Sequence, residues 1–184
     1  MSSEVSFQVQ NVVVTAKIAD SLDLIKLNNK LDGAKYEPGK FPALRIKRCG
    51  VGFLLYSSGN IVCTGSKSPE AAEEHVTELC KEISKHGAKI HATYKVNVRN
   101  IVASADVGKE LKLHELAYAI DDSEYNPEAF PGMKLRVGGA HILIFRTGKA
   151  IVPGLKSIAD VKPTVLALRA AIDKAEKEVV PSNY

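Results

Sequence analysis

The sequence predicts an α+β fold built from two tandem, pseudo-symmetric copies of one antiparallel unit. The first observation behind this is an internal repeat. Tyr36-Glu37-Pro38-Gly39-Lys40-Phe41-Pro42 returns 89 residues later as Tyr125-Asn126-Pro127-Glu128-Ala129-Phe130-Pro131. The same offset matches Asn11 to Asn100, Leu54 to Leu143, Gly59 to Gly148 and Lys67 to Lys156, and residues 11–67 share 16 identities with 100–156 without a gap. The second observation is that short β-branched or alternating runs are separated by Gly, Asn and Pro turns, so neighbouring strands pair antiparallel. The third is that each copy carries one short and one long apolar stripe at helical spacing, enough to cover one sheet face.

In the first copy, residues 5–18 open with a β-rich run in which Val9, Asn11, Val13 and Thr15 share one face. Asp20 or Ser21 is positioned to cap a short helix with Leu24, Leu27 and Leu31 on its stripe, ended by Gly33. Leu44 and Ile46 alternate with Arg45 and Lys47, a half-exposed strand with a basic side. Turns at Cys49-Gly50 and Ser58-Gly59-Asn60 bound strands at 52–56 and 61–64. Ser68, with Pro69 behind it, begins a helix over 69–86, striped by Ala72, Val76, Leu79, Cys80 and Ile83 and stopped by Gly87.

The second copy repeats this order. Its opening strand is 96–103, and its short helix carries Leu111, Leu113, Leu116 and Ile120. Met133 to Val137, Ile142 to Phe145 and Ala150 to Val152 form the meander. A closing helix begins at Pro163 or Thr164 and runs to about Glu178, striped by Val165, Leu168, Ala171, Ile172 and Ala175. The two repeats are expected at 5–94 and 95–180.

Composition narrows the function. The 184 residues are 45% apolar, and 25 basic against 21 acidic residues leave a mild charge of +4. That balance is compatible with nucleic acid and also with an ordinary surface. No apolar run reaches membrane-spanning length, and the opening residues lack a basic-then-apolar signal. Cys49, Cys63 and Cys80 are odd in number and scattered, reading as free thiols in a reducing compartment. The five histidines have no ligand spacing, so no metal or other cofactor is expected. Thr64-Gly65-Ser66-Lys67-Ser68 lacks the phosphate-loop frame, and no nucleophile–base or acid pair stands out. An enzyme is not expected.

The sheet face left uncovered by helices is the informative one. Alternation assigns to it Asn11, Val13, Thr15, Leu54, Val62 and Thr64, then Asn100, Val102, Ser104, Leu143 and Ile151. It is apolar with a few amides and hydroxyls. Lys47, Lys67, Arg136, Lys149 and Lys156 lie at its edges in sequence. An apolar strip with a basic rim suits a minor groove whose phosphates are held at the sides.

These residues and motifs resemble the TATA-box-binding protein family over its whole two-repeat core. The signatures are Val9-Gln10-Asn11-Val12-Val13 with Val98-Arg99-Asn100-Ile101-Val102, the two Tyr-Xaa-Pro loops, and Ser57-Ser58-Gly59-Asn60-Ile61-Val62-Cys63-Thr64-Gly65-Ser66-Lys67-Ser68. Asn100 to Asp106 gives the resemblance an archaeal flavour. It implies a saddle-shaped, about ten-stranded antiparallel sheet with four helices on the convex face. It implies that Asn11 and Asn100 reach the central base pairs, with Val13, Thr15, Val62, Thr64, Val102 and Ile151 against the groove floor. Phe41 with Tyr56, and Phe130 with Phe145, match two kinking pairs. Leu54 and Leu143 match leucines beside the kinks. Lys47, Lys67, Arg136, Lys149 and Lys156 match phosphate-holding positions. Asn126, Glu128 and Ala129 occupy the loop that grips a transcription factor B-type initiation factor.

The chain departs from the family pattern at Tyr56 for phenylalanine, Asn60 for lysine, Pro153 for threonine, and His141 for a β-branched residue. Asn126 and Ala129 replace glutamate and leucine, and the turns at Cys49-Gly50 and Gly138-Gly139 are two residues short. The expected function is a general initiation factor that binds and bends AT-rich, TATA-like promoter DNA through the minor groove. It would then recruit a second initiation factor and, indirectly, RNA polymerase. The alternative is a diverged saddle that binds protein or non-specific nucleic acid. An accessory saddle domain of a nucleic-acid enzyme would need a catalytic partner domain. Residence in the nucleoid follows if the chain is archaeal, in the nucleus if eukaryotic. An exposed apolar sheet also admits self-association when DNA is absent. The plainer reading of Phe41, Tyr56, Phe130 and Phe145 is core packing, and burial beneath the helices would remove the kinking role.

Overall fold

The computed structural model describes residues 5–179. In chain order the elements are β1 (Ser6–Lys17), α1 (Leu24–Lys30), β2 (Ala43–Arg48), β3 (Val51–Tyr56), β4 (Asn60–Ser66) and α2 (Pro69–Lys85). β5 (Asn97–Asp106), α3 (Leu113–Ala119), β6 (Ser123–Glu124), β7 (Gly132–Val137), β8 (Ala140–Phe145), β9 (Lys149–Leu155) and α4 (Val161–Val179) follow. Asn11–Asn100 forms one compact unit. Ile101 onward, with the opening residues up to Gln10, forms the other.

In the first unit the strands lie side by side in the order β2-β3-β4-β1, all antiparallel. Val12, Val14, Ala16, Leu44, Ile46, Phe53, Leu55, Ile61 and Cys63 point to one side and are buried. They meet Leu24 and Leu27 of α1 and Val76, Leu79 and Ile83 of α2, whose apolar positions fall on one stripe. The second unit runs β5-β9-β8-β7-β6. Ile101, Ala103, Met133, Leu135, Ile144 and Val152 are buried with Leu116 of α3 and Val165, Leu168 and Ile172 of α4. Each unit is thus a sheet with two helices on one face.

About ten strands are expected from the resemblance, and nine are formed among the described residues. The difference is local. In the second unit β6 pairs Glu124 with Lys134. The matching residues of the first unit, Lys35 and Arg45, make a single isolated bridge.

Two expectations about helix starts are corrected. Neither Asp20 nor Ser21 caps α1; Asp23 does, accepting from the Lys26 backbone N–H at 2.9 Å. The chain is still held to the sheet before that point, because Ile18 N–H donates to Gly59 O and Leu22 N–H to Ser57 O, each at 2.9 Å. The closing helix starts at Val161, not Pro163 or Thr164, after a 3₁₀ turn at Ile158–Asp160. Pro163 is accommodated because the first helical N–H groups have no intrahelical acceptor. Ser68 caps α2 as expected, accepting from Ala71 N–H at 3.1 Å.

The repeated glycines at the β3–β4 and β8–β9 turns have a steric cause. Gly59 has φ +81°, and a Cβ there would stand 1.9 Å from Ala19 O. Gly148 has φ +82°, and its Cβ would stand 2.2 Å from Lys109 O. In each unit the strand exit crosses this turn too closely for any side chain.

Candidate nucleic-acid interface

Every strand residue assigned to the uncovered face lies opposite the buried side of its sheet. In the first unit these are Asn11, Val13 and Thr15 of β1, Lys47 of β2, Leu54 and Tyr56 of β3, and Val62 and Thr64 of β4, none of them buried. Phe41 is half-buried just ahead of β2. Lys67 is exposed just past β4, and Asn100 of β5 is half-buried. In the second unit the face carries Val102 of β5, Arg136 of β7, Leu143 and Phe145 of β8, and Lys149 and Ile151 of β9. Phe130 stands before β7 and Lys156 after β9. Phe130 is 41% exposed and Ile151 39%. No wedge aromatic is buried beneath a helix.

Register organises these side chains into rows. In the first unit Lys35 faces Arg45, Arg45 faces Leu54, Leu54 faces Val62 and Val62 faces Thr15. In the second unit the row is Glu124, Lys134, Leu143, Ile151 and Ser104. Residues directly opposite across antiparallel strands project to the same side. Each row therefore runs from a charged edge into apolar contact and ends on a hydroxyl.

The hydroxyls are engaged in matching ways. Arg99 Nε donates to Thr15 Oγ1 at 2.8 Å, and Gln10 Nε2 donates to Ser104 Oγ at 2.7 Å. Gln10 and Arg99 are 89 residues apart, as are Thr15 and Ser104. Alternation does not assign Gln10 or Arg99 to this face, because their reach along it depends on strand neighbours far apart in sequence.

Asn11 is held in one orientation. β1 and β4 slip register between Val12 and Val13, and Gly65, at φ +110°, is the extra residue. Its N–H donates to Asn11 Oδ1 at 2.7 Å, which fixes the amide with Nδ2 as the donor. One Nδ2 hydrogen meets Thr64 Oγ1 at 3.2 Å. The second unit has the same slip between Ile101 and Ala103. Pro153 occupies the position matching Thr64 and brings no hydroxyl.

The aromatic pairs differ. Phe130 and Phe145 pack with ring centroids 6.0 Å apart at 59°. Gly132 faces Phe145 across β7 and β8, and a Cβ there would stand 2.7 Å from Phe130 Cε1 and 3.0 Å from Phe145 Cε1. Gly132 is thus part of the pair's support, although its own sequence signal is only a glycine after Phe-Pro. In the first unit Ala43 holds that place, opposite Tyr56. The Arg45 guanidinium there lies 5.7 Å from the Phe41 ring centroid.

In the second loop, Asn126 Oδ1 accepts from Glu128 N–H at 3.2 Å and Ala129 N–H at 3.4 Å. Its carbonyl accepts from Phe130 N–H at 2.9 Å. Asn126 therefore shapes the loop that ends in Phe130, while Asn126, Glu128 and Ala129 remain exposed. His141 stands exposed opposite Arg136. The buried thiols of Cys63 and Cys80 lie on the helix side, their pKa values raised by burial. Among the described residues no group of three or more His, Cys, Asp or Glu is arranged to hold a metal ion.

The profile of the family described as "Transcription factor TFIID (or TATA-binding protein, TBP)" matches residues 6–86 and again 95–175. The TATA-box-binding protein of Methanocaldococcus jannaschii is 35% identical over 178 residues, covering 95% of this chain and 97% of that protein. That of Archaeoglobus fulgidus is 37% identical over 164 residues, covering 86% and 90%. The solved structure of the Methanococcus jannaschii TBP superposes with a TM-score of 0.86 over 92% of this chain and 99% of that one.

Proposed function

This chain belongs to the TATA-box-binding protein family, and from that premise we propose that it binds and bends AT-rich promoter DNA through the minor groove. In this reading it is a general initiation factor that presents the bent duplex to a second initiation factor and, through it, to RNA polymerase. The observation that carries the reading is the Phe130–Phe145 pair, exposed at Phe130 and half-buried at Phe145, set at the edge of an uncovered apolar face. Such a ring pair is a wedge for a base step. Unstacking costs on the order of a few kcal/mol per step. Burial of Val13, Val62, Leu54, Val102, Leu143 and Ile151 against the groove floor offsets it at about 25 cal/mol per Å².

Selectivity follows from what the face lacks. The minor groove shows only acceptors at A·T pairs, and guanine adds an amino group. Apolar side chains would strip water from that amino group without a replacement bond. The Asn11 Nδ2, fixed as a donor, suits the acceptors of A·T pairs in either orientation. Lys47, Lys67, Arg136, Lys149 and Lys156 supply the phosphate contacts, and the exposed Asn126–Ala129 loop is the contact offered to the second factor.

Duplexes labelled at both ends, one AT-rich and one GC-substituted, test this by reporting binding and end-to-end distance together. The expected result is tighter binding of the AT-rich duplex with a marked shortening. Equal affinity for both duplexes with no shortening would overturn the reading and leave a protein-binding module.

A further inference from the structure

The two rows that cross the sheets are alike until their outer ends. The first unit closes its row with Lys35 opposite Arg45, each donating a backbone N–H to the other's carbonyl at 2.9 Å. The second closes with Glu124 opposite Lys134, Oε2 to Nζ 3.3 Å. Two exposed cations held directly opposite repel each other unless an anion joins them. An opposite pair satisfies itself. The difference extends along the edge. Residues 32–47 carry four cations and two acids, whereas 121–136 carry two cations and four acids. Asp121, Asp122 and Glu124 line a groove of about 470 Å³ together with Lys134, Arg136 and His141. In the first unit Glu37 is taken by Lys40 at 3.0 Å, and Arg45 lies over the wedge residue Phe41.

We propose that Lys35 and Arg45 form, with Lys47 two residues along β2, a phosphodiester-binding site at the outer edge of the first unit's face. Glu124 cancels the matching site in the second unit. The inference rests on the DNA-binding reading above and adds two contacts to it. Arg45, stacked beside Phe41, meets the backbone next to the step that the ring opens. Lys35 holds the same phosphate or its neighbour. In the second unit Lys134 is occupied by Glu124, and the acids beside it repel the strand. The duplex is therefore gripped unequally by the two units, and the inequality resides in side chains that face backbone, not bases.

Reciprocal charge swaps test this in the whole chain. Affinity for an AT-rich duplex is measured across a salt series for the unsubstituted protein, Lys35→Glu, Glu124→Lys, and Lys81→Glu on the exposed side of α2. Each lost phosphate contact removes about 0.9 from the slope of log affinity against log salt. Lys35→Glu, which also gives Arg45 an internal partner, should flatten the slope by about one to two and weaken binding roughly tenfold near 0.1 M salt. Glu124→Lys should steepen it by about one and tighten binding. Lys81→Glu carries the same charge change away from the face and should leave the slope in place. If Lys35→Glu changes the slope and affinity no more than Lys81→Glu does, while the unsubstituted protein still binds and bends the duplex, the proposed site falls and the DNA reading stands. If the unsubstituted protein neither prefers nor bends the AT-rich duplex, the DNA reading falls and takes the site with it.

Discussion

Gly132 sets the geometry of the Phe130–Phe145 ring pair by having no side chain. A methyl there would meet Phe130 Cε1 at 2.7 Å, Phe145 Cε1 at 3.0 Å and Leu143 Cδ1 at 3.2 Å. The nearest atoms are the far ends of side chains, so the rings move and the sheet does not. Gly132→Ala should leave thermal stability within about 1 kcal/mol of the parent while reducing the bend read by end-to-end distance. An unchanged bend would mean the ring positions do not matter. Asn11 makes the opposite kind of case, because its carbonyl is the acceptor for Gly65 N–H at 2.7 Å. Asn11→Ala should cost about 1 kcal/mol in chemical denaturation from that lost bond. It should also narrow the preference for AT-rich over GC-substituted duplex, which a purely structural asparagine would not do. Asn11 was legible because period-2 alternation sorts a strand into faces, whereas the place of Gly132 beneath the two rings was not, because it depends on the pairing of β7 with β8. The bond from Gly65 was not, because it depends on a register slip between β1 and β4, 53 to 54 residues apart. Arg45 was read only as the polar side of its strand; its place beside Phe41 follows from the fold of the Pro38-Gly39 loop.

At the level of elements the repeat makes each helix a control for the other. Asp23 caps α1 through its side chain, but its counterpart before α3 is Lys112, which makes no such bond. Lys112 is instead paired with Glu115 at 3.0 Å, where the side chains are 79% and 46% exposed. An exposed pair of that kind contributes little, whereas a capping aspartate contributes about 1 kcal/mol. Lys112→Asp should therefore stabilise the protein by roughly 0.5–1 kcal/mol, the retained Glu115 having the spacing of a capping box. A melting temperature at or below the parent's would show that α3 is held by packing alone. The converse substitution, Ser68→Ala, should cost about 1 kcal/mol by removing the acceptor for Ala71 N–H. Element order and the stripes of all four helices were legible from spacing. The α1 cap was not, since Asp20, Ser21 and Asp23 are all competent and the choice is made by Ile18 and Leu22 bonding to the β3–β4 turn. The short β6 was equally hidden, because two residues carry no period.

Across the whole chain the duplication preserved backbone geometry and let charge diverge, and this extends to what holds the helices down. In the first unit Arg48 of β2 grips Glu82 of α2 through Nε at 3.0 Å and Nη2 at 2.7 Å. The matching residues in the second unit are Val137 and Ala171. There Lys109 meets Asp173 at 2.8 Å and also Glu176, while Arg169 donates to Asp173 at 3.0 Å and to Val107 O. Apart from Arg169 and Asp173, four residues apart within α4, these pairs are not legible in the sequence, because their partners come from strands and loops 34 to 67 residues away. Hydrogen bonding from Arg48 holds the Glu82 carboxyl below its ordinary range, and hydrogen bonding from Lys109 does the same for Asp173. Burial alone would lower the Lys109 pKa, but Asp173 and Glu176 more than reverse it. The sign for the two carboxylates follows. Their folded pKa values lie below the unfolded values of about 4, so folding releases protons in between. Their contribution is fully present above about pH 4 and is lost as pH falls through the folded values. Denaturant unfolding at neutral pH and at acid pH should thus show a loss of stability in the parent that is smaller in Glu82→Gln and in Asp173→Asn. Each variant should already be weakened at neutral pH, because a neutral amide pairs less well with a cation. The two losses should add, since the carboxylates share no partner. If both variants lose as much as the parent on acidification, the acid sensitivity originates elsewhere, and these ion pairs position the helices without stabilising them.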